Sequence, residues 1–101
     1  MQSNIMKANK YELTGETIEL NGKTFYRIQA LKDFSNVKKG SLGGFVESER
    51  NLSQEGDCWI YGDAIVSGNN EIVEDTMVFD INYIKKAIRE LVYGNNDHKL
   101  V

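Results

Sequence analysis

The 101-residue chain contains no proline, one cysteine, one histidine and one tryptophan. Without proline, its turns must be made by Gly, Asn and Asp, which adopt left-handed backbone angles most easily. A single cysteine excludes an internal disulfide. One cysteine and one histidine also fall short of the roughly four such ligands that a zinc site uses. We therefore expect neither a metal nor a cofactor.

Long apolar runs are also missing. No stretch approaches the roughly 18 residues of a membrane span, and the first residues, Met1 to Lys7, lack the apolar segment of a signal peptide. Together with the absence of disulfides, these features predict a soluble, cytoplasmic protein of a bacterial cell, with no membrane association. A chain of this length has room for one domain.

Basic residues are scarce in the middle of the chain. Residues 1–40 carry seven Lys and Arg against four acids, whereas residues 41–80 carry one base against nine acids, and residues 81–101 carry four bases against two. The net charges of the three stretches are therefore +3, −8 and +2, which the total of −3 conceals. The sequence predicts an acidic central surface.

A β-hairpin is the clearest local signal. Two β-prone runs, 17–20 and 23–28, flank Asn21-Gly22, and both of these residues tolerate the positive φ angles of a type I′ turn. A two-residue loop places Ile18 opposite Phe25. Residues 10–13 are predicted to form a further short strand.

From residue 60 the chain repeats every six residues. The first position of each hexad is β-branched, as Ile60, Val66, Ile72 and Val78, and the third and fourth positions hold Gly, Asp, Asn or Glu. This period fits a solenoid with one short strand and one turn per hexad. Three hexads make a triangular coil, so residues 60–77 are predicted to form one coil and residues 42–59 a second. Extended backwards, the frame places Leu52 at position five.

A helix is predicted after the repeats. Asp80 is a suitable N-cap and Gly94 a suitable C′ residue. The apolar residues between them lie on one helical stripe: Ile81, Ile84, Ile88 and Leu91. The predicted fold is therefore mainly β and forms a single domain, 1–101. It consists of an N-terminal hairpin and strand region (10–40), a β-solenoid of about two coils (41–79), a capping α-helix (80–94) and a tail (95–101).

No group of residues suggests catalysis. His98 lies in the polar tail, where a surface role is expected. Cys58 occupies a repeat position where small residues recur, which favours a buried core thiol over a nucleophile. The Gly-rich stretch 40–44 lacks the Gly-Lys-Ser/Thr end of a phosphate-binding loop and is interpreted as a turn. Four aromatic residues are expected to stabilise the small core, the alternative being a platform for bases or sugars: Tyr26, Phe45, Trp59 and Tyr61.

Several short motifs resemble those of YdcK-type β-solenoid repeat proteins. They are Arg27-Ile28, Ala30, Asp33-Phe34, Val37-Lys38, Gly40, Gly43 to Val46, Asn51 to Ser53 and Gly56 to Tyr61. The resemblance implies a solenoid fold and a short phage or prophage member of that family. Hexapeptide acyltransferases, which look similar, use a histidine between subunits. The repeats here contain none, so we expect that the chain is not an enzyme.

The favoured hypothesis is a non-enzymatic phage-type binding protein. We expect it to act as an anti-CRISPR-like inhibitor that engages a basic host nuclease, or another nucleic-acid-binding protein, without binding nucleic acid itself. The predicted partner-binding residues are the acids of the repeats: Glu47, Glu49, Glu55, Asp57, Asp63, Glu71, Glu74 and Asp75. One alternative is a structural module that forms a homodimer or docks to another protein. Another is a nucleotide-binding sponge that uses the Gly-rich stretch.

Overall fold

The structure, a computed structural model, describes residues 9–80. Six strands follow one another: β1 (Tyr11–Leu20), β2 (Lys23–Ala30), β3 (Leu42–Val46), β4 (Trp59–Ile60), β5 (Ile65–Val66) and β6 (Met77–Val78). A single turn of 3-10 helix at Glu49–Asn51 is the only helical segment within this range. The prediction of a mainly β fold is therefore confirmed. The predicted capping helix beyond Asp80, the tail and His98 lie outside the described residues.

The N-terminal hairpin forms as predicted. Asn21 and Gly22 have φ angles of 52° and 80°, the signs that a type I′ turn requires. Ile18 lies opposite Phe25 in the antiparallel pair β1–β2. The short strand predicted at residues 10–13 is not separate, because β1 runs on through a register shift between Leu13 and Thr17.

Three parallel pairings link the two halves of the repeat region. Phe45 of β3 pairs with Ile65 of β5, Leu52 forms a bridge to Ile72, and Trp59 of β4 pairs with Met77 of β6. The paired residues are 20, 20 and 18 positions apart. Residues 42–64 therefore form one tier, which we call the first tier, and residues 65–80 lie beside it as the second tier. β1 and β2 extend the sheet beyond β3, giving the strand order β1-β2-β3-β5.

The hexad frame does not extend through the first tier. Leu52 pairs with Ile72, a position-one residue, whereas the frame placed Leu52 at position five. The corner before Leu52 contains the 3-10 turn Glu49–Asn51, capped by Ser48. Val46 and Leu52 are six positions apart, as are their partners Val66 and Ile72, so this corner keeps the length of a hexad. The two extra residues of the first tier lie after it, because Leu52 to Ile60 spans eight positions whereas Ile72 to Val78 spans six.

Gly43 and Gly44 lie inside strand β3 and not in a turn, which corrects the interpretation from sequence. A Cβ atom on Gly44 would lie 2.4 Å from the Ala64 carbonyl oxygen, and one on Gly43 would lie 2.7 Å from the Ile60 carbonyl oxygen. Both glycines are therefore required by close packing of β3 against the far side of the first tier. Of the predicted turn, Gly40 alone has a positive φ angle, 91°.

Aromatic side chains fill the core beside the first tier, as the favoured interpretation predicted. The Trp59 ring meets the Tyr11 and Phe34 rings edge-on, with centroids 6.3 and 5.3 Å away. Phe45 is covered by the Arg27 guanidinium, 4.2 Å above its ring. Tyr61 is buried and donates a 2.8 Å hydrogen bond to Asn36. Among residues 9–80, no helix combines the length and hydropathy needed to span a membrane.

Candidate functional site

The eight acids predicted to bind a partner lie on the turns of the two tiers. Seven are exposed and only Glu47 is half-buried. The structure divides them among three corners. The corner before Leu52 and Ile72 holds Glu47, Glu49 and Glu71, and the corner after β4 holds Asp63. The corner between them holds the remaining four: Glu55, Asp57, Glu74 and Asp75. We call this last group the acidic corner.

The acidic corner is built from two turns stacked on each other. Residues 53–58 follow Leu52 in the first tier, residues 73–76 follow Ile72 in the second, and parallel pairing fixes both ends of each turn. Gly56 (φ 75°) approaches Glu74 (φ 60°) so closely that a Cβ on Gly56 would lie 2.6 Å from the Glu74 carbonyl oxygen. Backbone contact thus holds the two turns that carry these four acids against each other, in neighbouring tiers about 4.8 Å apart.

A buried lysine supports the first-tier turn of the acidic corner. Lys10 is only 1% exposed, and its Nζ donates to the carbonyl oxygens of Gly56 and Cys58 at 3.1 and 2.8 Å. The ammonium also lies 5.0 Å above the Phe34 ring. The backbone N–H of Lys10 donates to the Gln54 side-chain oxygen at 2.7 Å. The start of the hairpin therefore fixes the turn that carries Glu55 and Asp57.

A groove runs between this turn and the loop after β2. Its volume is about 470 Å³, and Lys32, Asp33 and Phe34 form the wall opposite residues 54–57. A smaller cavity of about 320 Å³ lies between the two turns, beside Glu55 and Glu74. The acidic corner is therefore flanked by recesses that side chains of a partner could enter.

Among the eight acids, the carboxylates of Glu47 and Asp63 contact other parts of the chain, and Glu55 is also engaged within the chain. Glu47 accepts a 2.7 Å hydrogen bond from the Gly68 N–H and lies 3.5 Å from Lys23 Nζ. The hydrogen bond from Gly68, together with the charge of Lys23, lowers the pKa of Glu47. Asp63 forms an ion pair with Arg27 at 3.0 Å. These two carboxylates stabilise the fold, which makes them weaker candidates for binding a partner.

The residue types most often used in catalysis form no cluster in the described part of the chain. Cys58 is fully buried, and its sulfur lies 3.4 Å from Lys10 Nζ and 3.5 Å from the Ile72 carbonyl oxygen. This agrees with the core thiol expected from the sequence. Within residues 9–80, no three or more His, Cys, Asp and Glu side chains are arranged to hold a metal ion.

Sequence reasoning missed the buried polar residues that shape the corners. Lys10 enters the sequence analysis only within the count of basic residues, Asn51 only within a motif, and Gln54 is given no role. Asn51 is fully buried; its amide nitrogen donates to the carbonyl oxygens of Gly68 and Asn70 at 3.2 and 2.7 Å. The only available signal was the position of Asn51 in the motif that resembles YdcK-type proteins.

Comparison with known proteins gives one partial relationship and corrects one prediction. No protein-family model matches the chain. The chain is 38% identical over 60 residues to a protein of Escherichia coli (strain K12) named "Uncharacterized acetyltransferase YdcK". The match spans 52% of this chain but only 18% of the relative, which indicates a distant relationship. Because the named relative is an acetyltransferase, the comparison points to an enzyme family. The prediction that the chain is not an enzyme is therefore wrong.

Proposed function

We propose that the chain binds a basic protein through the acidic corner of a short β-solenoid. The solenoid would comprise two coils that correspond to the two tiers. Three parallel pairings at separations of 20, 20 and 18 residues support this architecture. The single observation that supports the binding function most directly is the contact between the turn that carries Glu55 and Asp57 and the turn that carries Glu74 and Asp75.

The arrangement of charge favours a partner that normally binds nucleic acid. Carboxylates held in two tiers present negative charge at fixed intervals, as a phosphate backbone does, and a groove lined by Lys and Arg attracts such a surface. Residues 61–80 contain five acids and no Lys or Arg, and the basic residues near the acidic corner, Lys10 and Lys32, lie on its first-tier side. A host nuclease or another nucleic-acid-binding protein is therefore the partner class that we propose.

Affinity capture tests this proposal. The full chain is immobilised and exposed to a bacterial lysate from which nucleic acid has been digested, and the retained proteins are identified by mass spectrometry. We expect a basic nucleic-acid-binding protein that elutes as the salt concentration rises, because screening weakens contacts between exposed charges. Recovery of no such protein, or retention that salt does not change, would contradict the proposal.

Acetyl transfer is a second candidate function, favoured by the printed name of the matched relative. On this proposal the chain, alone or as one part of a larger assembly, binds acetyl-CoA and an amine or alcohol acceptor. The acceptor forms a bond to the acetyl carbonyl carbon, the carbon–sulfur bond breaks, and CoA leaves as the thiol with the proton that the acceptor loses. Incubation of the full chain with radiolabelled acetyl-CoA and a panel of amines and alcohols tests it. We expect acetylated product at a rate proportional to protein concentration. A panel with no product, together with no acetyl-CoA binding in equilibrium dialysis, would remove this candidate.

A further inference from the structure

Arg27 shows how this chain surrounds a guanidinium group. The guanidinium lies 4.2 Å above the Phe45 ring. Its two terminal nitrogens lie 3.1 Å from Glu16 and 3.0 Å from Asp63, two carboxylates that come from separate segments of the chain. An aromatic face with carboxylates on either side suits this planar, delocalised cation, which stacks on rings and pairs with carboxylates through its fixed donors.

The groove beside the acidic corner offers a similar set of groups. Phe34 and Asp33 lie on one wall, in the loop after β2, and Asp57 lies on the opposite wall, in the first-tier turn. Asp33 and Asp57 are exposed and Phe34 is half-buried. The described residues that line the groove include no arginine. Its volume of about 470 Å³ lies within the range of about 300–1,000 Å³ that is usual for ligand pockets.

Other polar groups of the groove are already engaged within the chain. Lys10 donates to two backbone carbonyl oxygens, and the side chain of Gln54 both accepts from and donates to the backbone of β1. Glu55 also has an interaction within the chain. Asp33 accepts a 2.8 Å hydrogen bond from a backbone N–H, but a carboxylate has lone pairs for several such bonds. The argument for a ligand therefore depends on Asp33, Asp57 and the Phe34 ring.

We propose that this groove binds an arginine side chain of the partner, with the guanidinium between Asp33 and Asp57 and against the Phe34 ring. The inference rests on the proposed function, because it names the group that a basic partner inserts beside the acidic corner. Lysine suits the groove less well, since a compact ammonium ion lacks the planar set of donors that pairs with two carboxylates and stacks on a ring. Lys32 also lines the groove and is exposed, so its charge weakens the binding of any cation there.

Titration with short peptides, followed by NMR on the full chain, tests the proposal. The probes are acetyl-Gly-Arg-Gly-amide and the same peptide with lysine or citrulline in place of arginine. Citrulline keeps the shape of arginine but carries no charge. We expect the arginine peptide to shift the amide signals of residues 32–34 and 54–57 with a dissociation constant severalfold lower than that of the lysine peptide. The citrulline peptide should shift none of these signals at the same concentration.

Three substitutions in the groove give a signed test. Asp33→Asn and Asp57→Asn should each weaken binding of the arginine peptide by about 1.5- to fivefold, and Lys32→Gln should strengthen it by a similar factor. Glu49→Gln, which removes an exposed acid at another corner, is the control and should change nothing. Equal affinity for the three peptides, or shifts confined to residues outside the groove, would overturn the proposal. Weaker binding by Lys32→Gln would do so too, because it would assign the groove to an anion.

The outcomes separate this inference from the proposed function. If affinity capture recovers a basic protein but no peptide binds in the groove, the arginine site is wrong and the proposed function stands. If the arginine peptide binds in the groove but no basic protein is recovered, the site is supported and the proposed partner class is contradicted.

Discussion

Lys10 reaches Cys58, 48 positions away in sequence, and its Nζ donates a 2.8 Å hydrogen bond to the Cys58 carbonyl oxygen. The same ammonium donates to the Gly56 carbonyl oxygen at 3.1 Å. A buried cation is tolerated only when its donors are satisfied, and here two carbonyl groups and the Phe34 ring surround it. This contact joins the start of the hairpin to the turn that carries Glu55 and Asp57.

Replacing Lys10 by Met should therefore destabilise the protein. The substitution keeps most of the apolar stem but leaves two carbonyl groups without their donor, at a cost of about 1–3 kcal/mol in the free energy of unfolding. Urea denaturation measures the change. Lys32→Met, on the wall of the same groove, should change stability by less than about 0.5 kcal/mol. Equal effects of the two substitutions would show that the contact with Cys58 contributes little.

Asn51, which links the two tiers, should contribute at least as much as Lys10 to the free energy of unfolding. Its side-chain oxygen accepts from the N–H groups of Glu47 and Ser48 at 3.0 Å, and its nitrogen donates to the second tier. Asn51→Ala removes four hydrogen bonds, of which only the one from the Glu47 N–H has a substitute, a 3.3 Å bond to the Val66 carbonyl oxygen. The change should lower the free energy of unfolding by about 2–4 kcal/mol. Thermal unfolding checks this, with the exposed Asn69→Ala as the control. A melting temperature for Asn51→Ala that equals that of the control would contradict the assigned role.

Gly44 should tolerate no side chain, whereas Gly15 should accept one. A Cβ on Gly44 would lie 2.4 Å from both the Ala64 carbonyl oxygen and Ile60 Cγ2, and nothing lies within 4 Å of a Cβ on Gly15. We expect Gly44→Ala to destabilise the fold by about 1–3 kcal/mol or more and Gly15→Ala to have little effect. Denaturant midpoints of the two variants provide the comparison. Similar midpoints would mean that β3 does not pack against Ala64 as described.

The hydrogen bond from Gly68 to Glu47 predicts a pH dependence. It lowers the pKa of Glu47 in the folded chain. The stabilisation that the Glu47 carboxylate contributes is therefore fully present above the pKa that Glu47 has in the unfolded chain. It is lost as the pH falls through the lower folded value. Glu47→Gln should therefore lower the melting temperature at about pH 7, and this effect should shrink as the pH falls below about 4.3, the ordinary pKa of Glu. Glu12→Gln, exposed on β1, is the control. If the melting temperatures of Glu47→Gln and the unaltered chain differ by the same amount at neutral and at acidic pH, the lowered pKa of Glu47 would be contradicted.

The hairpin could be predicted because its information is local. Asn21 and Gly22 specify the turn, and the turn fixes the register of Ile18 with Phe25. The β-branched residue of each hexad also had the right periodicity for parallel pairing, since Val66 pairs with Val46 and Val78 with Ile60. The first-tier turn after Leu52 could not be derived from a six-residue frame, because the chain uses two additional residues between Leu52 and Ile60.

The geometry of the acidic corner could not be predicted from neighbouring residues in the sequence. The sequence showed that residues 41–80 are acidic, but not that Glu55 and Asp57 lie beside Glu74 and Asp75. That placement depends on Gly56 approaching the Glu74 carbonyl, which is a contact between separate turns. The burial of Lys10 depends in the same way on a partner 48 positions away. A lysine near the N-terminus is usually a solvated charge, so nothing in the neighbouring sequence indicates that Lys10 is buried.

The most direct test of the account compares two charge-neutral variants in binding to the partner recovered by affinity capture. One variant carries Glu55→Gln, Asp57→Asn, Glu74→Gln and Asp75→Asn. Its control removes the same number of charges elsewhere, through Glu12→Gln, Glu19→Gln, Glu49→Gln and Glu71→Gln. Four contacts of about 0.2–1 kcal/mol each predict a dissociation constant about fourfold to several hundredfold weaker for the first variant, with the control close to the unaltered chain. Equal affinities for the two variants would contradict the assignment of binding to the acidic corner.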